Sequence, residues 1–240
     1  MRTRWIAALS TAVVAAAVAF GSWASASPPA GPGRTVDPGN FTSPLANPYY
    51  PIVPGTVSIY KGTEGKDHLR ERLSVTSSTR VILGVTTTVI HDVLYANGLL
   101  AEKTVDWYAD DNAGNVWYFG EDTALYDEHG HVTSTEGTWQ AGVRSAEAGI
   151  IMPADPKPTD AHRQEFLKGH AEDQAWIVQR NATADVAYGH MDHVVRSFEW
   201  TVLEPNVLSL KLYAPGLGIV RELDVAGGNE SLQLVAVKTV

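Results

Sequence analysis

The chain contains no cysteine. Disulfides, thiolate nucleophiles and thiolate metal centres are therefore excluded, and any fold must be held by burial and hydrogen bonding alone. Positive charge is scarce as well: 18 Lys and Arg stand against 27 Asp and Glu, a formal net charge of −9. A balance this acidic argues against a basic stripe of the kind that reads phosphate, so nucleic acid and anionic membranes are not expected partners. It favours small molecules, carbohydrate, cations or basic partners, and it also serves solubility. Beyond Phe20 no apolar run is long enough to span a bilayer. The motifs of common chemistries are missing too. There is no HExxH, GxSxG, SxxK or Walker sequence and no dinucleotide-binding glycine fingerprint, so neither a cofactor nor a metal is expected.

What is present begins with an export pattern. Arg2 and Arg4 precede an uncharged apolar run from Trp5 to Phe20, and Ala24-Ser25-Ala26 supplies the small residues of a cleavage site. A secretory signal peptide over residues 1–26, cleaved near Ala26, predicts a secreted protein; loss of Arg2 and Arg4 would take the formal charge from −9 to −11. Pro28, Pro29, Pro32, Pro38 and Pro44 mark residues 27–46 as a Pro/Gly-rich linker, because proline cannot ladder into a sheet. Residues 47–240 then read as a single β-rich domain.

The rest of the chain alternates like strands and is punctuated like hairpins. Thr56 to Tyr60 and His68 to Ser77 are followed by a β-branched run, Val81 to Ala96, read as one strand that ends in the hairpin pair Asn97-Gly98. Gly142 to Asp160, rich in proline and glycine, reads as a long excursion across an end of the sheet. Ala171 to Gln179 is ambiguous between helix and strand, with strand favoured. From Val194 four strand-like runs follow, separated by Glu204-Pro205-Asn206, Pro215-Gly216 and Gly227-Gly228-Asn229. The expected fold is all-β: an antiparallel meander forming a strongly curved sheet or a barrel or half-barrel.

The most informative stretch is Leu99 to Thr123. It bends at Asp111-Asn112-Ala113-Gly114, and closure by Asp110 and Asn115 would pair Tyr108 with Trp117, Asp106 with Phe119 and Thr104 with Glu121 on one face. The other face, with Val105, Trp107, Ala109, Val116 and Tyr118, reads as core. Extended to the next strand, the same pairing sets Glu121 opposite Thr138 and Thr123 opposite Glu136. Carboxylates of Glu102, Asp106, Glu121 and Glu136 would then share a face with Tyr108, Trp117 and Phe119. Such a face can hold sugar hydroxyls against rings, bind a cation, or supply an acid/base pair; it can equally be the solvated side of the sheet. The candidate ligand-binding residues are Asp106, Tyr108, Trp117, Phe119, Glu121 and Glu136.

Other groupings carry less. His190 and His193 with Asp192 have chelating spacing but no recognised metal frame, and exposed loop histidines explain them. Asp110-Asp111-Asn112 lacks the length and terminal Glu of a calcium loop and is explained by the turn.

Several segments together carry a resemblance. Asn47-Pro48-Tyr49-Tyr50-Pro51 with Pro54-Gly55-Thr56, DWYADDNAGNVWYFGED from Asp106, GIIMPADP from Gly149, RQEF from Arg163 with Ala171-Glu172-Asp173, and KLYAPGLGIVREL from Lys211 make the chain similar to a group of secreted bacterial β-rich proteins with no assigned activity. The resemblance spans nearly all of the mature chain. It implies an exported open barrel or half-barrel of the lipocalin or lipoprotein-carrier kind, and no catalytic residues. The expected function is non-catalytic binding of a small molecule or glycan. The alternatives are an extracellular carboxylate-dependent hydrolase or lyase, and a structural or envelope-associated protein without a ligand.

Overall fold

The computed structural model describes residues 35–240. The expected signal peptide and the start of the Pro-rich linker lie outside the described residues.

Fifteen strands follow one another: β1 (Thr56–Glu64), β2 (Asp67–Ile82), β3 (Val85–Ala96), β4 (Leu99–Asp110), β5 (Val116–Tyr126), β6 (Val132–Ser134), β7 (Trp139–Gln140), β8 (Glu147–Met152), β9 (Ala161–Arg163), β10 (Glu165–Phe166), β11 (Asp173–Val186), β12 (Gly189–Thr201), β13 (Leu208–Ala214), β14 (Gly218–Ala226) and β15 (Glu230–Thr239). All pairings are antiparallel, and thirteen strands form one path, β10-β8-β5-β4-β3-β2-β1-β15-β14-β13-β12-β11-β9, with β6 and β7 attached to β5. The two ends of the path are neighbours in the chain. Arg163 of β9 pairs with Gln174 of β11, and Glu165 of β10 pairs with Ala148 of β8. One short segment is thus stitched to both ends, and the sheet is a nearly closed barrel. The seam is tight at Gly149 of β8, where a Cβ would lie 2.4 Å from the carbonyl of Gln164.

Turn chemistry explains the hairpins and one error of reading. Asn97 and Gly98 take φ of 51° and 84°, the paired left-handed geometry of a two-residue hairpin. Leu83 and Gly84 do the same, at 50° and 80°, and split Val81 to Ala96 into the end of β2 and all of β3. An apolar residue in the first turn position hides that turn in the sequence. The expected excursion from Gly142 to Asp160 likewise contains β8, which pairs with β5 and β10.

The central hairpin forms, in a different register. The Asp111 carboxylate accepts hydrogen bonds from Ala113 N (2.9 Å), Asn115 N (2.8 Å), Asn115 Nδ2 (2.7 Å) and Trp117 Nε1 (2.9 Å), and so builds the turn. Asp110 then pairs with Val116, Tyr108 with Tyr118, and Asp106 with Glu121. Between those last two pairs β5 has one residue more than β4. The extra residue is a bulge at Gly120, whose φ is +132° and whose missing Cβ would sit 2.3 Å from the Trp139 carbonyl oxygen. Only glycine fits there.

The start of the described chain also packs on this hairpin. Asn112 N donates to Asn40 O (2.7 Å), Ser43 N to Asn112 Oδ1 (2.7 Å) and Leu45 N to Asp111 O (3.0 Å), while the Phe41 ring meets Trp117 and Phe119 edge-on at 5.8 and 5.7 Å. Linker character therefore ends before Asn47. The seam yields a test: Gly149→Ala drives a methyl into the Gln164 backbone and is expected to cost about 1–3 kcal/mol, read as a lower midpoint in urea unfolding. A midpoint equal to wild type would show that the barrel is not closed there.

Candidate functional site

Because paired residues face the same way, the register identifies what lines the barrel. Tyr60 pairs with Glu71, Glu71 with Leu94 and Leu94 with Glu102; Asp92 pairs with Thr104 and Thr104 with Thr123; Ile90 pairs with Asp106 and Asp106 with Glu121. On the opposite wall Ser197 pairs with Lys211, Lys211 with Glu222 and Glu222 with Leu232. All these carboxylates are buried, as are Glu165, Glu199 and Glu230, and Lys211 is the one Lys or Arg buried with them among the described residues. Burying charge is costly unless it is paired or neutralised, so the interior must do one or the other.

Lys211 Nζ lies 3.2 Å from Glu199 Oε2 and 3.4 Å from Glu222 Oε1. The two acids are not equivalent. Burial pushes Glu199 up, but Lys211 together with the donors Tyr213 Oη (2.6 Å), Ser197 Oγ (2.7 Å) and Gln164 Nε2 (3.1 Å) brings it below the usual carboxylate range. Glu222 lacks those donors, and burial pushes it up to about 8 in spite of Lys211. The charge therefore rests on Glu199 and the proton on Glu222. Burial, ahead of Glu199 and Glu222, would lower Lys211, but the two acids outweigh it and hold the ammonium well above its ordinary range.

Lys211 makes its ion pairs with Glu199 and Glu222, and the acids across the lumen lie beyond ion-pair distance of it. Burial raises Glu102 to about 8 and Asp106 to about 7, against the hydrogen bonds of Thr104, Thr123 and Tyr118. Asp92 is pushed well above its ordinary value by burial first and then by Glu71, with which it shares a hydrogen bond. Tyr118 Oη touches both Asp106 Oδ1 (2.8 Å) and Glu121 Oε2 (3.0 Å). A phenol has one hydrogen, so both contacts are hydrogen bonds only when one of the two carboxyls carries a proton. Tyr108 stacks on Tyr118 at 4.5 Å, and Tyr50 tilts against Tyr108 at 5.3 Å. Little space is left. A cavity of about 20 Å³ between Tyr50, Tyr118, Lys211 and Tyr213 has room for about one water, and a second, mostly apolar cavity of about 60 Å³ lies between Tyr60, Val75, Ile90 and Ile219, so the barrel is largely filled.

The larger open space lies at one mouth of the barrel. There a groove of about 710 Å³ is bounded by the turn Thr135 to Gln140, by Arg144, by His170 and by Trp107, on whose ring Arg80 stacks at 4.1 Å. Glu121 is its floor, so this one residue faces both the groove and, through Tyr118, Asp106. Asp122 and Glu136 stand on its rim.

The six candidate residues thus separate. Asp106, Tyr108 and Glu121 come together on the inner face. Trp117 and Phe119 do not: the longer turn, which pairs Asp110 with Val116, puts them on the outer face, under Phe41, and brings Tyr118, expected on the opposite face, inward instead, while the Gly120 bulge returns Glu121 to the inner face. Glu136 is not on a strand but on the exposed turn between β6 and β7, because Glu121 pairs with Trp139 rather than Thr138. Glu71, Asp92, Glu199, Lys211 and Glu222 were missed. A signal existed in Leu69-Arg70-Glu71-Arg72-Leu73, where an acid occupies the apolar phase of the alternation and the bases occupy the other. Among the described residues no group of three or more His, Asp or Glu is placed to hold a metal ion, and His190 lies between Asp185 at 2.7 Å and Asp192 at 3.4 Å.

Fold and lining together define an antiparallel barrel with a filled, acidic interior and a polar groove at its mouth. No family model matches the chain, and no curated protein matches it. Two solved structures are similar in shape. One is a Bacteroides fragilis protein inferred to be exported, with a YmcC-like fold, at 15% identity over 81% of this chain and 100% of that one, TM-score 0.47. The other is a Parabacteroides distasonis protein inferred to be a lipoprotein, at 12% identity over the same shares, TM-score 0.42.

Two outcomes follow from the interior. Lys211→Met leaves Glu199 without its counter-ion and is expected to destabilise the barrel by about 3–5 kcal/mol in urea unfolding; an unchanged midpoint would show that the pair is not buried. The raised carboxyls hold their protons to higher pH in the folded than in the unfolded chain. Their stabilising contribution is therefore full below the ordinary carboxyl range and lost as pH rises through about 7 to 8. Thermal melts should show a higher Tm at pH 5 than at pH 8.5, and the opposite order would contradict a protonated interior.

Proposed function

We propose that the chain is an exported, non-catalytic binding protein that takes a small hydroxyl-rich ligand, such as a short glycan, in the groove at the barrel mouth. The observation that carries this reading is the groove itself. Its volume of about 710 Å³ is that of a small-molecule site, whereas the cavities within the barrel measure only about 20 and 60 Å³. Its lining mixes acceptors (Asp122, Glu121, Glu136, Gln140) with donors (Arg80, Arg144, His170) and the edges of Trp107 and Trp139. Hydroxyl groups are donor and acceptor at once, and sugar rings have apolar faces, so this mixture suits them better than it suits a wholly apolar ligand. Export rests on the N-terminal charge, apolar run and small-residue site.

The hydrolase or lyase reading keeps one foothold, since Glu121 and Glu136 line the same groove. Asp106 is wholly buried behind Tyr118, so the pair Asp106/Glu121 is not presented together to a substrate.

A panel of neutral and acidic mono- and disaccharides, read by thermal melting, tests the proposal. A ligand at saturation should raise Tm by several degrees, and the rise should vanish in Asp122→Ala/Glu136→Ala, both exposed positions whose loss leaves the fold intact. No shift with any sugar, or a shift that survives in the double variant, would overturn it. Release of cleaved product by the wild type, stopped by Glu121→Gln, would replace binding with hydrolysis.

A further inference from the structure

The acids that line the lumen have a counterpart outside. Strand residues alternate, so the neighbours of the inward carboxylates point outward, and many of them are basic. One outward row can be followed through seven neighbouring strands by its pairings: Arg196 (β12) with Leu212 (β13), Leu212 with Arg221 (β14), Arg221 with Gln233 (β15), Gln233 with Lys61 (β1), Lys61 with Arg70 (β2), and Arg70 with Tyr95 (β3). The row carries four cations and no carboxylate. The row on one side, Phe198-Leu210-Leu223-Ser231-Thr63-His68, has no carboxylate either, and the row on the other side adds Arg72 and Lys103. None of these six Lys and Arg residues makes a salt bridge among the described residues. In a chain of net charge −9, a wall of unpaired cations is a segregated surface and not a consequence of composition.

We infer that this outer wall binds an acidic polysaccharide, laid across the strands along the row Arg196–Arg221–Lys61–Arg70. Strands are about 4.8 Å apart, so Arg196, Arg221 and Lys61 follow one another at about 10 Å, Arg70 lies about 5 Å beyond Lys61, and the row spans about 24 Å. That spacing separates the polyanions. A nucleic-acid strand carries a charge about every 3.4 Å and would leave most of its phosphates unmatched, whereas the carboxylates of an acidic glycan are set apart by whole sugar rings. Curvature separates the remaining class. Seven strands of a thirteen-strand path bend round about half of the wall, so a flat bilayer meets only part of the row while a flexible chain can follow it. The residues between the cations suit hydroxyl groups: Gln233 is an amide, and the Tyr95 ring has the Arg70 guanidinium 5.9 Å above it. Leu212, between Arg196 and Arg221, is itself buried, and Arg196 Nη1 donates to Gln179 Oε1 (3.1 Å), a second amide along the row. This surface is separate from the mouth groove.

The test uses polygalacturonate as the probe, with neutral dextran beside it, on the mature chain. Polygalacturonate should bind at low ionic strength and weaken as salt rises, while dextran should not bind. The Arg70→Gln/Arg196→Gln/Arg221→Gln triple should lose affinity roughly tenfold or more, and a control triple of equal charge change on loops, Lys66→Gln/Lys157→Gln/Lys168→Gln, should stay within about twofold. If the first triple also melts early, the charge-keeping Arg→Lys triple decides: retained affinity supports the row and lost affinity overturns it. Equal loss in both Gln triples, absence of polygalacturonate binding, or tighter binding of single-stranded DNA or phosphatidylglycerol vesicles through the same three residues would each overturn the proposal.

Discussion

Glu199 and Lys211 hold the barrel together from within. Glu199 accepts from Ser197 on its own strand, Tyr213 and Lys211 on the next, and Gln164, which sits between β9 and β10 on the segment that closes the sheet. Closure and charge are therefore one problem. The segment that pairs with both β8 and β11 buries Gln164, whose side-chain amide donates to Glu199, and Lys211 is the main group that favours the charged form of Glu199. A buried ion pair is seldom worth much against an apolar substitute of the same shape. Here its value lies in specifying which strands meet at the seam.

The rest of the lumen solves the same problem by protonation. Asp92, Glu102, Asp106 and Glu222 are pushed up by burial because no second cation enters, and the tyrosines supply hydroxyls that can accept from a protonated carboxyl as well as donate to a charged one. The interior is thus a hydrogen-bonded network with few net charges. Strand alternation sends Arg70, Arg72, Arg196 and Arg221 outward between inward-facing residues, so the barrel is acidic within and carries a row of cations across one part of its wall. The net charge of −9 conceals this arrangement.

Much of the fold was legible. Period-two runs separated by Asn-Gly, Pro-Gly and Gly-Gly-Asn define antiparallel strands, and the meander from β1 to β5 follows directly from their order. The Leu83-Gly84 turn escaped notice because leucine is not a turn residue, and β8 because prolines surround it. Of the candidate site, Asp106, Tyr108 and Glu121 were placed together, but Trp117 and Phe119 were put on the wrong face. The turn holds one residue more than expected, so Asp110 pairs with Val116 and Trp117 and Phe119 turn over, while the bulge at Gly120 adds a second shift that returns Glu121 to the inner face; strict alternation contains no information about where an extra residue enters.

The amino-acid sequence alone determined that the chain is cysteine-free, all-β and antiparallel, because composition and local turn chemistry act over a few residues and need no partner. Only the tertiary structure decided which face of each strand is inside, that the ends of the sheet meet, and that acids and bases part to opposite sides of the wall. Those outcomes depend on pairings such as Arg163 with Gln174, Arg221 with Gln233 and Gln233 with Lys61, some of which join segments far apart in the chain. A register is a property of two strands together, and neither strand carries it by itself.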